Sequence, residues 1–173
     1  MCYLNNYLSY SFDDERRWLV TEKEINLGDI KKEAEKYYAE GDYYCSEAIV
    51  AVIKKYIDSN IPKEAIAMAS GFPVGIGGSK CVCGAVSGGI ISLGYFFGRT
   101  DPKDEQVNKT LELANELQQS FKDNHKVLCC KILTKNMEMG SDIHMKQCIE
   151  FTGEIAQKTA EIIARELNIK IIE

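Results

Sequence analysis

From Cys81 to Gly98 the chain reads CVCGAVSGGIISLGYFFG, eighteen residues without a charge, and this stretch limits the possible folds more than any other. Such a length nearly spans a bilayer, and a fully buried helix of a globular protein looks the same. Its first half is small and weakly apolar, and Arg99 with Asp101 closes it without a basic flank. Those features favour a central core helix and no membrane span. Gly84 and Gly88 are four residues apart, as are Gly94 and Gly98, so each pair lies on one helix face and admits a neighbouring backbone. A second copy of the chain could use the same face, which makes a homodimer a further expectation.

Around this segment the pattern is helical. LGDIKKEAEKYYAEG offers strong helix formers, with Asp29 as a cap and Gly41 as a stop, and predicts a helix over 29–40. Cys45, Ala48, Ile49, Val52 and Tyr56 fall on one face of a second helix, with Cys45 on its buried side. Pro62 suits the first turn of a short helix that Gly71 ends. GFPVGIGGSK holds four glycines and a proline in ten residues and reads as a loop. Beyond Pro102 a charged helix carries Val107, Leu111, Ala114, Leu117 and Phe121 at spacings of three and four and ends near Asn124. A helical turn at VLCCKIL, a polar loop and a last helix over about 145–167, striped by Cys148, Phe151, Ile155 and Ile162, complete the chain. The expectation is an all-α, single-domain bundle of five to six helices around a buried Gly-rich central helix, with a β-prone tail at IKIIE. Residues 1–25 read as an N-terminal arm around Trp18, and residues 26–173 as the domain.

A formal charge of −5 gives no electrostatic footprint for nucleic acid. MCYLNNYLSYSF lacks the basic and apolar regions of a signal peptide. The expected compartment is therefore a reducing cytoplasm, where seven cysteines are more at home as thiolates, metal ligands or redox groups than as permanent bridges. Cys45, Cys83, Cys130 and Cys148 each fall at or near the start of a helical segment, where free N–H groups and the helix dipole are expected to lower a thiol pKa. Four such thiolates converging in one core would hold zinc or an iron–sulfur cluster. Gly84 and Gly88 would let backbone N–H donors approach the cluster sulfurs. C-x-x-C is absent, so zinc-ribbon, thioredoxin and haem-attachment motifs are absent too. The close pairs are the C-x-C of Cys81 and Cys83 and the adjacent Cys129 and Cys130.

The stretch around Cys45, then GFPVGIGGSKCVCGAVSG, then Cys130 to Leu133, then Cys148, resembles the redox-active family named for its C-GCAxxG-C-C cysteine pattern. The resemblance covers about residues 30–165 and centres on CGAVSG at 83–88. It implies that Cys45, Cys83, Cys130 and Cys148 are the family's four cysteines and that Cys2, Cys81 and Cys129 are extras. A similar pattern accompanies an iron–sulfur cluster in split-Soret cytochromes. This chain has no haem motif, so the resemblance carries over the cluster alone. One departure is Pro73-Val74, where the family usually shows two glycines after the phenylalanine. Cys81 remains an alternative to Cys83 as the ligand of the C-x-C pair.

The leading functional expectation is electron transfer to a redox partner protein through an iron–sulfur cluster on the four cysteines. An alternative is a thiol–disulfide oxidoreductase or sulfur-transfer protein with Cys83 as the reactive, catalytic thiolate. A third is an interaction module with structural zinc. His125 and His144 stand in polar contexts and read as surface histidines. Met137, Met139 and Met145 read as loop or core residues. GIGGSK lacks the phosphate-loop spacing and follows a helix rather than a strand.

Overall fold

The first helix starts at Asn26, whose side-chain oxygen accepts the Asp29 N–H at 3.0 Å. That bond satisfies one of the helix's free N–H groups. The expected cap, Asp29, instead sits in the first turn of α1 (Leu27–Ala39), where its charge complements the dipole. Gly41, with φ 78°, takes the left-handed position beyond the helix end. The computed structural model describes residues 23–173. After α1 come α2 (Cys45–Tyr56), α3 (Lys63–Ala69), α4 (Gly84–Phe97), α5 (Gln106–His125), α6 (Cys130–Leu133) and α7 (Asp142–Leu167). Helix accounts for 64% of the described residues, so the chain is all-α. Among the described residues seven helices stand against the five to six expected, and α6 is a single turn.

Two short strands flank the bundle. β1 (Glu24–Asn26) pairs in parallel with β2 (Lys170–Ile172), Ile25 opposite Ile171, and Lys170 bonds Glu24 across the pair. The tail was legible as β-prone; its partner was not, because EIN is too short to show a period. β1 also straddles the expected boundary between arm and domain. Trp18 and Cys2 lie outside the described residues.

The uncharged segment forms the central helix α4, against which α2, α5 and α7 pack. No helix among the described residues is long and apolar enough to cross a membrane. A Cβ at Gly88 would lie 2.4 Å from the Ser46 carbonyl oxygen, so α2 crosses α4 backbone against backbone. On another side, a Cβ at Gly89 would meet Leu117 Cδ2 and Thr159 Oγ1 at 2.6 Å. The Gly84–Gly88 face is thus filled within the chain, while Gly94 faces open space and Gly98 lies past the helix end. The core collects Ile49, Val52 and Ile53 of α2, Leu93 of α4, Leu117 and Phe121 of α5, and Ile155 and Ile162 of α7, all essentially inaccessible. On α5 the buried stripe is Leu113, Leu117 and Phe121, whereas Leu111 is 61% exposed. The last helix starts at Asp142, three residues before expected, because the Ser141 hydroxyl accepts the His144 N–H.

Candidate metal or redox site: a cavity lined by four cysteines

Each cysteine of the set arrives on a different element. Cys45 is the first residue of α2, Cys83 caps α4, Cys130 opens α6 and Cys148 lies in the second turn of α7. Tertiary hydrogen bonds register them. Val82 and Cys129 form an antiparallel bridge, the Cys83 N–H donates to Leu128 O at 2.8 Å, and the Cys130 N–H donates to Cys81 O at 2.7 Å. Two chain segments almost fifty residues apart are thereby clamped, so Cys83 and Cys130 reach the same place. All four side chains line one cavity of about 30 Å³, closed by Tyr38, Tyr44, Val74, Met139, His144 and Phe151 among others.

This geometry explains the CGAxxG spacing. Cys83 ends the non-helical approach, and the N–H groups of Ala85 and Val86 meet its sulfur. Gly84 follows because a Cβ there would lie 2.5 Å from the Cys45 Sγ and 3.0 Å from Phe72 O. Ala85 is wholly buried. Gly88, one turn later, admits the Ser46 backbone, and Ser46 adjoins Cys45. Gly84 lines the cavity, whereas Gly88 acts at the α2–α4 contact.

The loop before Cys81 supplies one further N–H to the site. Five consecutive residues, Val74 to Gly78, have φ between 54° and 83°. Val74 and Ile76 are β-branched, and side chains of that kind are strained in the left-handed region. Val74 heads this stretch, and its N–H, with that of Ser46, favours the charged form of the Cys45 sulfur.

Burial overrides the expected dipole effect on the thiols. Cys45 is pushed up to about 11, and Cys83 and Cys148 to about 12, by desolvation first. Mutual repulsion of the thiolates adds to the rise, against the backbone donors at Cys45 and Cys83. Cys130 is also raised, by burial, with Lys80 opposing. The four are therefore neutral thiols at pH 7 as placed. Cys81 is exposed and lies outside the lining, and Cys129 donates to Lys80 O at 3.6 Å. Within the C-x-C pair, Cys83 is the inward member.

Both histidines depart from the surface reading. His144 is 5% exposed and lines the cavity, with Nε2 3.6 Å from Cys148 Sγ. His125 pairs with Glu154 at 2.7 Å and packs against Phe121 and Phe151, behind the cavity wall. Tyr38 reaches in from α1 to line the cavity, and burial raises its pKa. Sequence reasoning missed Tyr38, Met139 and His144. The i, i+4 spacing of His144 and Cys148 was the available signal, once Ser141 is taken as the cap.

The donor set suits a soft metal group. Four thiols and no carboxylate line the cavity, backbone N–H groups meet two of the sulfurs, and Gly84 leaves room beside Cys45. As placed, no three His, Cys, Asp or Glu side chains among the described residues form a ligating group. A volume of about 30 Å³ matches one water-sized body.

A helical bundle that brings four thiols from four elements to one buried cavity defines an all-α protein with a cysteine-built site. Residues 43–162 match the family described as "Putative redox-active protein (C_GCAxxG_C_C)", and the chain belongs to that family. The comparisons with curated proteins and with solved structures give no match.

Proposed function

We propose that this protein transfers electrons through an iron–sulfur cluster held by Cys45, Cys83, Cys130 and Cys148. The convergence of these four thiols on one apolar cavity carries the reading. Bound there, such a cluster supplies one-electron chemistry at a potential set by charge, hydrogen bonds and exposure. The chain's own residues do the rest. The four thiols give up their protons on binding, since the ligand is the thiolate. Backbone N–H groups of Ser46, Val74, Ala85 and Val86 then face negative sulfur instead of neutral thiol, and Phe151 keeps the site dry. Val74, Gly75 and Met139 belong to loops and complete the lining beside the helix-borne residues.

A single structural zinc is the second reading, favoured by the small cavity. Membership of a redox-active family favours iron, because zinc does not change oxidation state. The reactive-thiolate reading of Cys83 is supported least, because the thiol is buried and its pKa is raised to about 12.

The test is anaerobic purification followed by an absorption spectrum and by iron, sulfide and zinc analysis of one sample. Brown protein with comparable iron and sulfide is expected. Each of Cys45→Ser, Cys83→Ser, Cys130→Ser and Cys148→Ser should lose the colour, and Cys81→Ser and Cys129→Ser should keep it. Colourless protein with stoichiometric zinc, or with no metal, would overturn the cluster reading.

A further inference from the structure

We infer that His144 and Tyr38 serve this site as hydrogen-bond donors to the Cys148 sulfur and that His144 is not a ligand. The role in tuning a bound group rests on the function proposed above. The hydrogen-bond pattern itself does not.

His144 and Cys148 are one turn apart on α7, on the same face, and Nε2 lies 3.6 Å from Sγ. The other ring nitrogen decides what Nε2 can do. The Gly140 N–H donates to His144 Nδ1 at 3.2 Å. Gly140 has φ 85°, so the chain turns back through a left-handed residue just before Ser141 caps α7, and its N–H faces the ring. A nitrogen that accepts carries no proton, so the neutral imidazole has its hydrogen on Nε2 and presents Nε2–H to sulfur. Ligation needs the reverse arrangement, an Nε2 lone pair with Nδ1–H donating to a carbonyl or carboxylate.

Tyr38 lines the same cavity from α1, and its hydroxyl favours the charged form of the Cys148 sulfur. Cys148 therefore differs from its partners. The groups that favour charged sulfur at Cys45 and Cys83 are backbone N–H groups, which side-chain substitution leaves in place, whereas those at Cys148 are two side chains. Hydrogen bonds to a ligand sulfur offset the charge of the reduced form and raise the reduction potential. Cys148 is thus the sulfur through which sequence change adjusts the site.

Two measurements test this. In metal-free protein, nitrogen-15 NMR of the histidine rings should show His144 with Nε2 protonated and Nδ1 bare; the opposite tautomer would overturn the inference. That result stands whether or not the protein binds any metal, so it fails separately from the proposed function. In protein reconstituted with ferrous iron and sulfide, Tyr38→Phe and His144→Leu should each lower the potential and weaken metal retention against a chelator by about 10- to 100-fold. His144→Gln, which keeps an N–H near the Nε2 position, should recover most of both. An unchanged potential in Tyr38→Phe and His144→Leu, or nitrogen coordination of iron by His144, would defeat it.

Discussion

Helix α4 is built differently at its two ends. Its first turns carry Gly84, Ala85 and Gly88, and what presses on them is the sulfur of Cys45 and the backbone of Ser46. Two turns later Leu93, Phe96 and Phe97 fill the interior with bulk, each no more than 3% exposed. The N-terminal end thus trades side-chain volume for close approach, which brings sulfur and N–H groups together around a small cavity. The C-terminal end has the dense packing that holds helices in register. The same division runs through α7. Near Cys148 the thiols, Tyr38 and His144 are buried or half-buried, while at the far end Arg165 forms a bidentate pair with Glu116 at 2.7 and 2.8 Å in the open. Stability and chemistry therefore occupy opposite ends of the same helices.

Chemical reactivity should show the largest contrast. Thiol pKa values raised from 9.0 to about 12 at Cys83 and Cys148 lower the thiolate fraction at neutral pH by about a thousandfold, at tenfold per unit. In metal-free protein, alkylation followed by mass spectrometry should therefore label exposed Cys81 well before Cys45, Cys83 or Cys148. Equal rates would mean that the sulfur end is wet. Leu93→Ala tests the dense end and should cost about 2–5 kcal/mol in urea unfolding while leaving the metal content of the folded fraction unchanged. Gly88→Ala joins the two effects: its new Cβ, 2.4 Å from Ser46 O, should cost about 1–3 kcal/mol and also weaken metal retention, because Ser46 carries Cys45. If retention were unaffected, the α2–α4 contact would not be what places that sulfur.

Smaller changes sharpen the picture. Ile76 is 43% exposed with φ 60°, so Ile76→Asn, which suits the left-handed region, should raise stability by up to about 1 kcal/mol. At the charged end, the hydrogen bond from Arg165 holds Glu116 below its ordinary value. A carboxylate lowered by folding stabilises the fold above its unfolded pKa and loses that contribution as pH falls through the folded one. Stability should therefore decline on acidification below about pH 4.5, and Glu116→Gln should flatten this slope slightly in pH-dependent urea titrations. An unchanged slope would show that the pair is worth nothing in solution.

How much of this the sequence revealed follows from what a period can encode. The central helix, the glycine-rich loop and the four-cysteine set were legible because composition and spacing mark them directly. The α5 stripe slipped because Leu117 and Phe121 belong to two registers, one running through Leu111 and the other through Leu113, and only packing chooses. Asn26 and Asp29 are both capping types, three residues apart, and the local sequence does not choose between them. Thiol acidity went the other way from the dipole argument: N–H groups do meet Cys45 and Cys83, but depth of burial, which no local pattern records, outweighs them. The clamp between 80–83 and 128–131 is a tertiary pairing of two unpatterned segments, so no local pattern could place Cys130 beside Cys83.

The Val74–Gly78 stretch has a consequence in terms of handedness. An L-amino-acid chain that turns the left-handed way for five residues is locally following the preference of its mirror image. Installing D-valine at 74 or D-isoleucine at 76 by chemical ligation should relieve about 1–2 kcal/mol at each position, while a D-residue inside α2 or α4 should cost a similar amount. The Cys45 sulfur is thus met by an N–H from a stretch in which the handedness of two residues, Val74 and Ile76, opposes the backbone they occupy.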